Sequence, residues 1–259
     1  MLRGKRVLEI GPGDNFGVAL KFLIAGAKQV VCLDKFFSKR DPEQQYKIYQ
    51  ALREHLNGDE IQNFNRVINL DSGRIEIDSQ KLSYVYGTGI EKAEKILEPE
   101  SFDFIVSRAV LEHVYDTDAA FSVMNRLLIR GGYMIHKIDF RDHGMFSGGG
   151  LHPLTFLTIP DSVYRLMTHD SGKPNRRFIN YYRQKMLELG YDTKILITHI
   201  VGFEGEILPH KDKIMFGVDY SDRTISLLNE IRTNLQYRFR NMSDEDLMIA
   251  GIFLIARKP

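Results

Sequence analysis

Val7-Leu8-Glu9-Ile10-Gly11-Pro12-Gly13-Asp14-Asn15-Phe16-Gly17 decides the reading of this chain. Val7, Leu8 and Ile10 form a short β-rich apolar run, which predicts a buried strand carrying one acid, Glu9. Gly11 and Gly13 let the backbone turn sharply and let a ligand approach it. Asp14 or Asn15 is placed to cap the helix that begins near Phe16. Strand, glycine turn and helix in that order build a nucleotide-type cofactor site at the carboxyl edge of a parallel sheet. The dinucleotide pattern G-x-G-x-x-G is not completed, because Phe16 stands at its third glycine. On these residues alone, a plain glycine turn between any strand and helix stays open.

The chain has 259 residues, which suits one large α/β domain with an insertion. Hydrophobic residues make up 43%, enough for a sizeable core. A net charge of +1 predicts no strong field toward nucleic acid or a membrane surface. The one cysteine, Cys32, lies in the apolar run Val30-Val31-Cys32-Leu33, so a buried thiol is expected and no intrachain disulfide is possible. That usage suits a reducing cytoplasm. The opening residues Met1 to Arg6 run straight into the first strand without the pattern of a signal peptide. No apolar stretch is long enough for a membrane-spanning helix.

Up to residue 140 strands and helices alternate. Strands are predicted over 6–10, 29–33, 82–86, 102–107 and 132–138, all short apolar runs of the kind covered on both faces. Helices are predicted over 16–25, 42–56, 89–95 and 119–128. Gly26 ends the first, Asp116 or Thr117 caps the last, and Gly131-Gly132 closes it. A further short strand is expected around 64–69. This alternation implies a doubly wound α/β fold with right-handed crossovers. The stretch 139–177 breaks the rhythm with glycines, prolines and interleaved aromatics, and reads as a substrate-pocket insertion holding a short helix at 161–167. Beyond it come a helix at 176–189, a strand at 193–201, a helix at 222–238 and a last strand at 250–256.

Ligands of a parallel sheet sit beyond the carboxyl ends of its strands. Asp34, at the end of the second strand, is placed to accept two ribose hydroxyls; a turn-forming aspartate before Lys35 is the alternative. Thr88 to Glu91 follow the third strand, where an adenine edge fits. Ser107 and Arg108 end the fourth, followed by Glu112, His113 and Asp116.

Phe102-Asp103-Phe104-Ile105-Val106-Ser107, followed by Val110-Leu111-Glu112-His113-Val114, resembles the fourth-strand motif of class I S-adenosylmethionine-dependent methyltransferases. Leu127-Leu128-Ile129-Arg130-Gly131-Gly132-Tyr133 is similar to the element before their fifth strand. Glu9 to Gly13 resembles their first motif, and Asp34 falls where their ribose-binding acid falls. The resemblance covers residues 5 to 140. Two departures stand out: Asn15 replaces the third glycine of E-x-G-x-G-x-G, and the family's usual N-terminal helices are missing. The resemblance implies a mostly parallel seven-stranded sheet whose final, antiparallel strand is inserted between its neighbours. It also implies S-adenosylmethionine as cofactor, with S-adenosylhomocysteine as product. Gly11, Gly13 and Ser107 would then lie beside its methionine part, and Pro12, Asn15, Lys35 and Arg108 would belong to the same cofactor site. Glu9 would organise that site. Asp34 would meet the ribose, and Ile90 and Glu91 the adenine.

Methyl transfer is an in-line displacement from a sulfonium, so positioning does most of the work. A hydroxyl acceptor also benefits from a base. His136 and His143 are the candidates, His136 first because a strand holds it, with Asp139 or Asp142 orienting one of them. Acid and imidazole groups within this stretch could also hold a divalent metal, as some methyltransferases do, but no complete octahedral ligand set is visible and no metal is predicted. His113, Arg141, His152, Phe156, Tyr164 and Arg176 are candidates to face a polar acceptor; Phe156 and Tyr164 read equally well as the insertion's own small core. The expected activity is O-methylation of a sugar or secondary-metabolite hydroxyl. N-methylation of an amine, a non-catalytic cofactor-binding protein and a nicotinamide-dependent oxidoreductase are the alternatives.

Overall fold

In the computed structural model, which describes residues 2–168 and 171–259, the opening run forms β1 (Arg6–Ile10). The glycine turn leads into α1 (Gly17–Ile24), and Asn15 Oδ1 accepts the Gly17 N–H at 2.8 Å. Gly26 ends that helix with φ +96°, its N–H on the Leu23 carbonyl at 2.9 Å. β2 (Gln29–Asp34) follows, then α2 (Pro42–Glu54), with Asp41 accepting from the Glu43 and Gln44 N–H groups and Pro42 opening the helix. α3 (Gly58–Asn65) runs through the first part of the strand expected at 64–69, leaving only β3 (Ile68–Asn69), paired antiparallel with β4 (Glu76–Ile77). Phe64 decides this: it is the one fully buried residue of α3 rather than the start of a strand.

β5 (Leu82–Tyr86) is as read from sequence, and the helix expected at 89–95 is a 3₁₀ segment, Ile90–Lys95. After β6 (Phe102–Arg108), Asp116 caps α4 (Thr117–Leu127) by accepting the Ala119 N–H at 3.0 Å. β7 (Leu128–Asp139) starts at once, so Gly131 and Gly132 lie inside a strand and do not close the helix. A Cβ on Gly132 would stand 2.9 Å from the Asp103 carbonyl oxygen; close backbone approach is what requires glycine here. Next come α5 (Asp161–Thr168), α6 (Ile179–Glu188) and β8 (Asp192–Ile200). α6 is shorter than expected because Arg176 takes φ +60° and Phe178 caps the helix in an extended conformation. The helix expected to reach residue 238 stops as α7 (Asp222–Arg232), before α8 (Tyr237–Arg240), α9 (Asp244–Met248) and β9 (Ile249–Arg257).

The seven-stranded sheet has the order β5-β2-β1-β6-β7-β9-β8. β1 pairs in parallel with β2 and β6, placing Leu8 opposite Val31 and Ile105, and β9 runs antiparallel to β8. The order reverses between β1 and β6, the switch point where such sheets take their ligands. The chain forms two compact units. The first comprises residues 1–108, 116–135 and 258. Val7, Leu20, Val30, Cys32, Tyr49 and Phe64 form its core. The second comprises 109–115, 136–257 and 259, and holds the insertion 139–177. Its core is an aromatic cluster of Phe140, Phe156, Phe178, Tyr182 and Phe239. Among the described residues no helix is long and apolar enough to cross a membrane.

Candidate active site

In the first unit the glycine turn has the geometry a ligand needs. Gly11 and Gly13 both sit at φ +68°, and the Gly11 N–H bonds the Leu33 carbonyl at 2.8 Å. A Cβ on Gly13 would meet no atom within 4 Å, so the space over the turn is open. α2 and the loop before it brace the turn from below. Tyr49 Oη accepts the Phe16 N–H at 3.0 Å and donates to Gln45 Oε1, while Gln45 Nε2 donates to the Asp14 carbonyl. Arg40 Nη2 donates to the Gly13 carbonyl at 2.9 Å, its guanidinium about equally close to the Phe16 and Tyr84 rings. Sequence reasoning missed Arg40, Gln45 and Tyr49. Only the Gln45–Tyr49 spacing, one helical turn on a single face of α2, hinted that they act together.

Glu9 is buried on β1. Burial pushes its carboxyl up to about 7, opposed by the Cys32 thiol at 3.5 Å, the Ala19 backbone and the Arg40 charge. Asp34 ends β2 half-exposed, with Oδ1 accepting the Phe36 N–H at 3.1 Å. It thus forms the Asx-type turn weighed as the alternative, and a carboxylate keeps a second oxygen for other donors. Lys35 is exposed, with its ammonium over the Phe36 ring. Pro12 and Asn15 lie half-buried in the turn, Ile90 is buried, and Glu91 is half-buried with its carboxylate against Gly89. Ser107 is buried at the end of β6, next to an exposed Arg108.

The second unit gathers a different chemistry past the ends of β6 and β7. Glu112 and His113 lie in a 3₁₀ turn, Leu111–His113. Asn175 fastens that turn: its N–H bonds the Glu112 carbonyl at 2.6 Å, and its Nδ2 bonds the Leu111 and Val114 carbonyls, each at 2.7 Å. Glu112 is 1% exposed, and burial pushes its carboxyl up to about 8. Its Oε1 accepts the Asp139 N–H at 3.2 Å. His143, at the strained φ of +51°, sets its ring edge-on to His113 with centroids 4.9 Å apart. Burial lowers the pKa of both imidazoles. Asp139 Oδ2 stands 3.9 Å from His143 Nε2, and its carboxylate is held bidentately by Arg141. Burial raises the Asp139 carboxyl but the Arg141 bonds outweigh it, so it stays below the usual range. His113, Asp139, Arg141 and His143 are therefore brought together, joined by Glu112, which had been noted only as lying near the strand end.

Other expected site residues turn inward. His136 is 0% exposed, and burial depresses its pKa to about 3, so it is a neutral core imidazole. Asp142 orients neither histidine: its oxygens accept from the Gly144, Phe146 and Ser147 N–H groups and the Ser147 hydroxyl, tying its own loop. His152 spends both ring nitrogens, on the Leu154 N–H and the Leu227 carbonyl. Phe156 and Tyr164 are buried, and Tyr164 donates to the Pro174 carbonyl. Arg176 lies 3.8 Å from the centre of the Tyr164 ring and donates to the Phe156 and Ile159 carbonyls and to Asp161. Phe156, Tyr164 and Arg176 thus pack into the insertion's own core, while Arg176 also lines a cavity with Arg177, Asn180 and Arg238.

Comparison with known proteins agrees with this frame. Residues 2–189 match a family described as a methyltransferase domain, and the chain belongs to that family. No curated protein sequence matches the chain significantly. Among solved structures, phosphoethanolamine N-methyltransferase 2 of Haemonchus contortus in complex with S-adenosyl-L-methionine is similar at 16% identity with a TM-score of 0.50. That match covers 100% of this chain and 50% of the other, so the chain spans half the length of that enzyme. An S-adenosylmethionine dependent methyltransferase from Mesorhizobium loti matches at 16% identity and TM-score 0.46, covering 99% and 92% of the two chains. At this identity the likeness is one of fold.

Proposed function

We propose that this domain transfers a methyl group from S-adenosylmethionine to a hydroxyl of a small polar acceptor, a sugar or a secondary metabolite, in the cytoplasm. The carrying observation is the group Glu112, His113, Asp139 and His143 past the ends of β6 and β7. Imidazole and carboxylate groups gathered in this way support a role in orienting an acceptor and making it nucleophilic. The hydroxyl oxygen attacks the sulfonium methyl carbon, the carbon–sulfur bond breaks, S-adenosylhomocysteine leaves as a neutral thioether, and the hydroxyl proton passes to this group. With His136 buried, the proton-accepting role expected of a histidine falls to His143, with Asp139 beside it.

Gly11, Pro12, Gly13, Asn15 and Ser107 are the residues for the methionine part of the cofactor, with Arg108 near. Asp34 and Lys35 serve its ribose, and Ile90 and Glu91 its adenine. The open space over Gly13 and the strand-end carboxylate of Asp34 support that assignment. A near-neutral chain with no basic stripe supports a small-molecule acceptor over nucleic acid.

Calorimetry with S-adenosylmethionine, S-adenosylhomocysteine and NAD tests the cofactor: the first two bind and NAD does not. Radiolabelled methyl transfer onto a panel of sugars, nucleotide sugars, phenols and amines then tests the acceptor. NAD binding alone overturns the cofactor assignment. Label appearing only on amines overturns the hydroxyl assignment.

A further inference from the structure

We infer that Glu112, His113 and His143 form a binding site for one divalent first-row transition cation. Each of the three has a buried polar atom with no hydrogen-bond partner among the described residues: Glu112 Oε2, His113 Nδ1 and His143 Nε2. An orphaned buried polar atom is costly, and native folds leave few of them. Three on residues that meet one another call for a shared partner. One donor atom from each residue lies within 4.8 Å of the others, close enough for a small side-chain rotation to bring all three onto one ion. Metal–nitrogen and metal–oxygen bonds of about 2.0–2.2 Å set that requirement.

The surroundings hold these donors as metal ligands are held. Glu112 is 1% exposed, and its other oxygen is fixed by the Asp139 N–H at 3.2 Å. The backbone of Lys173 and Gly172 bonds the His113 ring, leaving Nδ1 as the open nitrogen. Asn175 locks the turn that carries Glu112 and His113. Such outer bonds orient ligating imidazoles and carboxylates in metal sites generally. Asp139 Oδ2, whose carboxylate Arg141 bonds, lies 3.9 Å from His143 Nε2, on the side of the ring where the ion would sit. His143 keeps a strained positive φ that places its imidazole against His113, and its partial exposure leaves a way in from solvent.

Two imidazoles and one carboxylate suit manganese, iron, cobalt or zinc in the divalent state, whereas magnesium and calcium prefer all-oxygen sets. Three protein ligands leave positions open. This inference deepens the proposed hydroxyl methylation: an acceptor oxygen at an open position would lose its proton more readily, and with His143 Nε2 on the cation that proton would pass to the Asp139 carboxylate beside it. Cation binding is nevertheless measured without any acceptor or turnover.

The experiment is manganese titration of the full chain, followed by the six-line resonance of free aqueous Mn²⁺. One Mn²⁺ per chain should bind, and both Glu112→Gln and His143→Asn should weaken it about tenfold or more. Asparagine suits the positive φ at position 143. Calorimetry with S-adenosylmethionine on the same variants shows whether the cofactor site is intact. Because Glu112 is buried and its variant can fail to fold, the native protein gives a second readout. Substoichiometric Mn²⁺ should broaden the ring signals of His113 and His143 first among its eight histidines. No binding at millimolar Mn²⁺, unchanged binding in His143→Asn, or broadening centred instead on His210 beside Glu206 overturns the inference. If cofactor binding and methyl transfer persist after chelation and no Mn²⁺ binds, the site is wrong and the methyltransferase reading stands. If Mn²⁺ binds and the cofactor does not, the reverse holds.

Discussion

Glu9→Gln probes the least comfortable group beneath the cofactor turn. The Glu9 carboxyl is 6% exposed, and burial raises its pKa from 4.5 to about 7. In the unfolded chain it ionises near 4.5. Between those values the folded state keeps the proton and the unfolded state has lost it, so stability falls as pH rises through this window. A difference of about 2.5 units at about 1.36 kcal/mol each is a penalty of about 3 kcal/mol, complete above pH 7 and absent below pH 4.5. The burial is nearly total, so solvent screening does not shrink it. Glutamine keeps the shape and an oxygen to accept from the Ala19 backbone, and it cannot ionise. The variant should therefore match the native protein near pH 4.5 and exceed it by about 3 kcal/mol at pH 8. For a chain of this size that corresponds to roughly 6–12 °C in melting temperature. Urea unfolding of both proteins at pH 5 and pH 8 gives the comparison. A difference that stays flat across this range, or a variant less stable at pH 8, would show that Arg40 and the start of α1 hold Glu9 ionised in place.

Three further outcomes are expected. Asp34→Ala should weaken S-adenosylmethionine binding roughly ten- to hundredfold, the loss of one charged hydrogen-bonding group at about 1.5–3 kcal/mol; unchanged calorimetric affinity in a folded variant removes the ribose assignment. Gly13→Val should abolish cofactor binding while the protein keeps a cooperative melt, because its side chain enters open space from a φ of +68°. Normal binding would make the turn a mere connector. His143→Asn should lower turnover by about 10²–10⁴-fold with cofactor affinity retained, and full activity would show that transfer proceeds by positioning alone.

The fold was legible where strands are continuous apolar runs between turn signals. β1 and β5 were placed to the residue, and β2 and β6 within one. The errors share a cause: the same residue serves different ends in different tertiary settings. Phe64 carries strand propensity, yet it anchors the buried side of α3. Gly131 and Gly132 read as a helix stop because glycine ends helices, while at Gly132 it is the neighbouring Asp103 carbonyl that excludes a side chain. In the cofactor turn the glycines and strand-end acids were legible because that geometry is local. Its bracing by Arg40, Gln45 and Tyr49 was not, since those contacts span 27 to 33 residues of chain.

The chemical group of the second unit divides along the same line, and β7 shows how much more the sequence held. Side chains alternate along a strand, and here Met134, His136 and Ile138 are the buried set while Ile135, Lys137 and Asp139 are less so. His136 shares its parity with two apolar residues, so the pattern already assigned it to the core; rigidity in a strand does not make a base of a residue that faces the core. Asp139 has the opposite parity and reaches the cluster. His143 obeys no such rule, because a loop residue at positive φ points where its own turn sends it. Arg176 and Tyr164 mislead for a chemical reason. A guanidinium on an aromatic ring is as good at satisfying three internal acceptors as at gripping a sugar, and only the count of donors already spent, on Phe156, Ile159 and Asp161, tells the two apart. Glu112, His113 and His143 also leave buried polar atoms unspent, as Arg176 does at Nε, but theirs belong to three residues whose donor atoms gather within 4.8 Å of one another, and a gathered remainder is what a ligand can use.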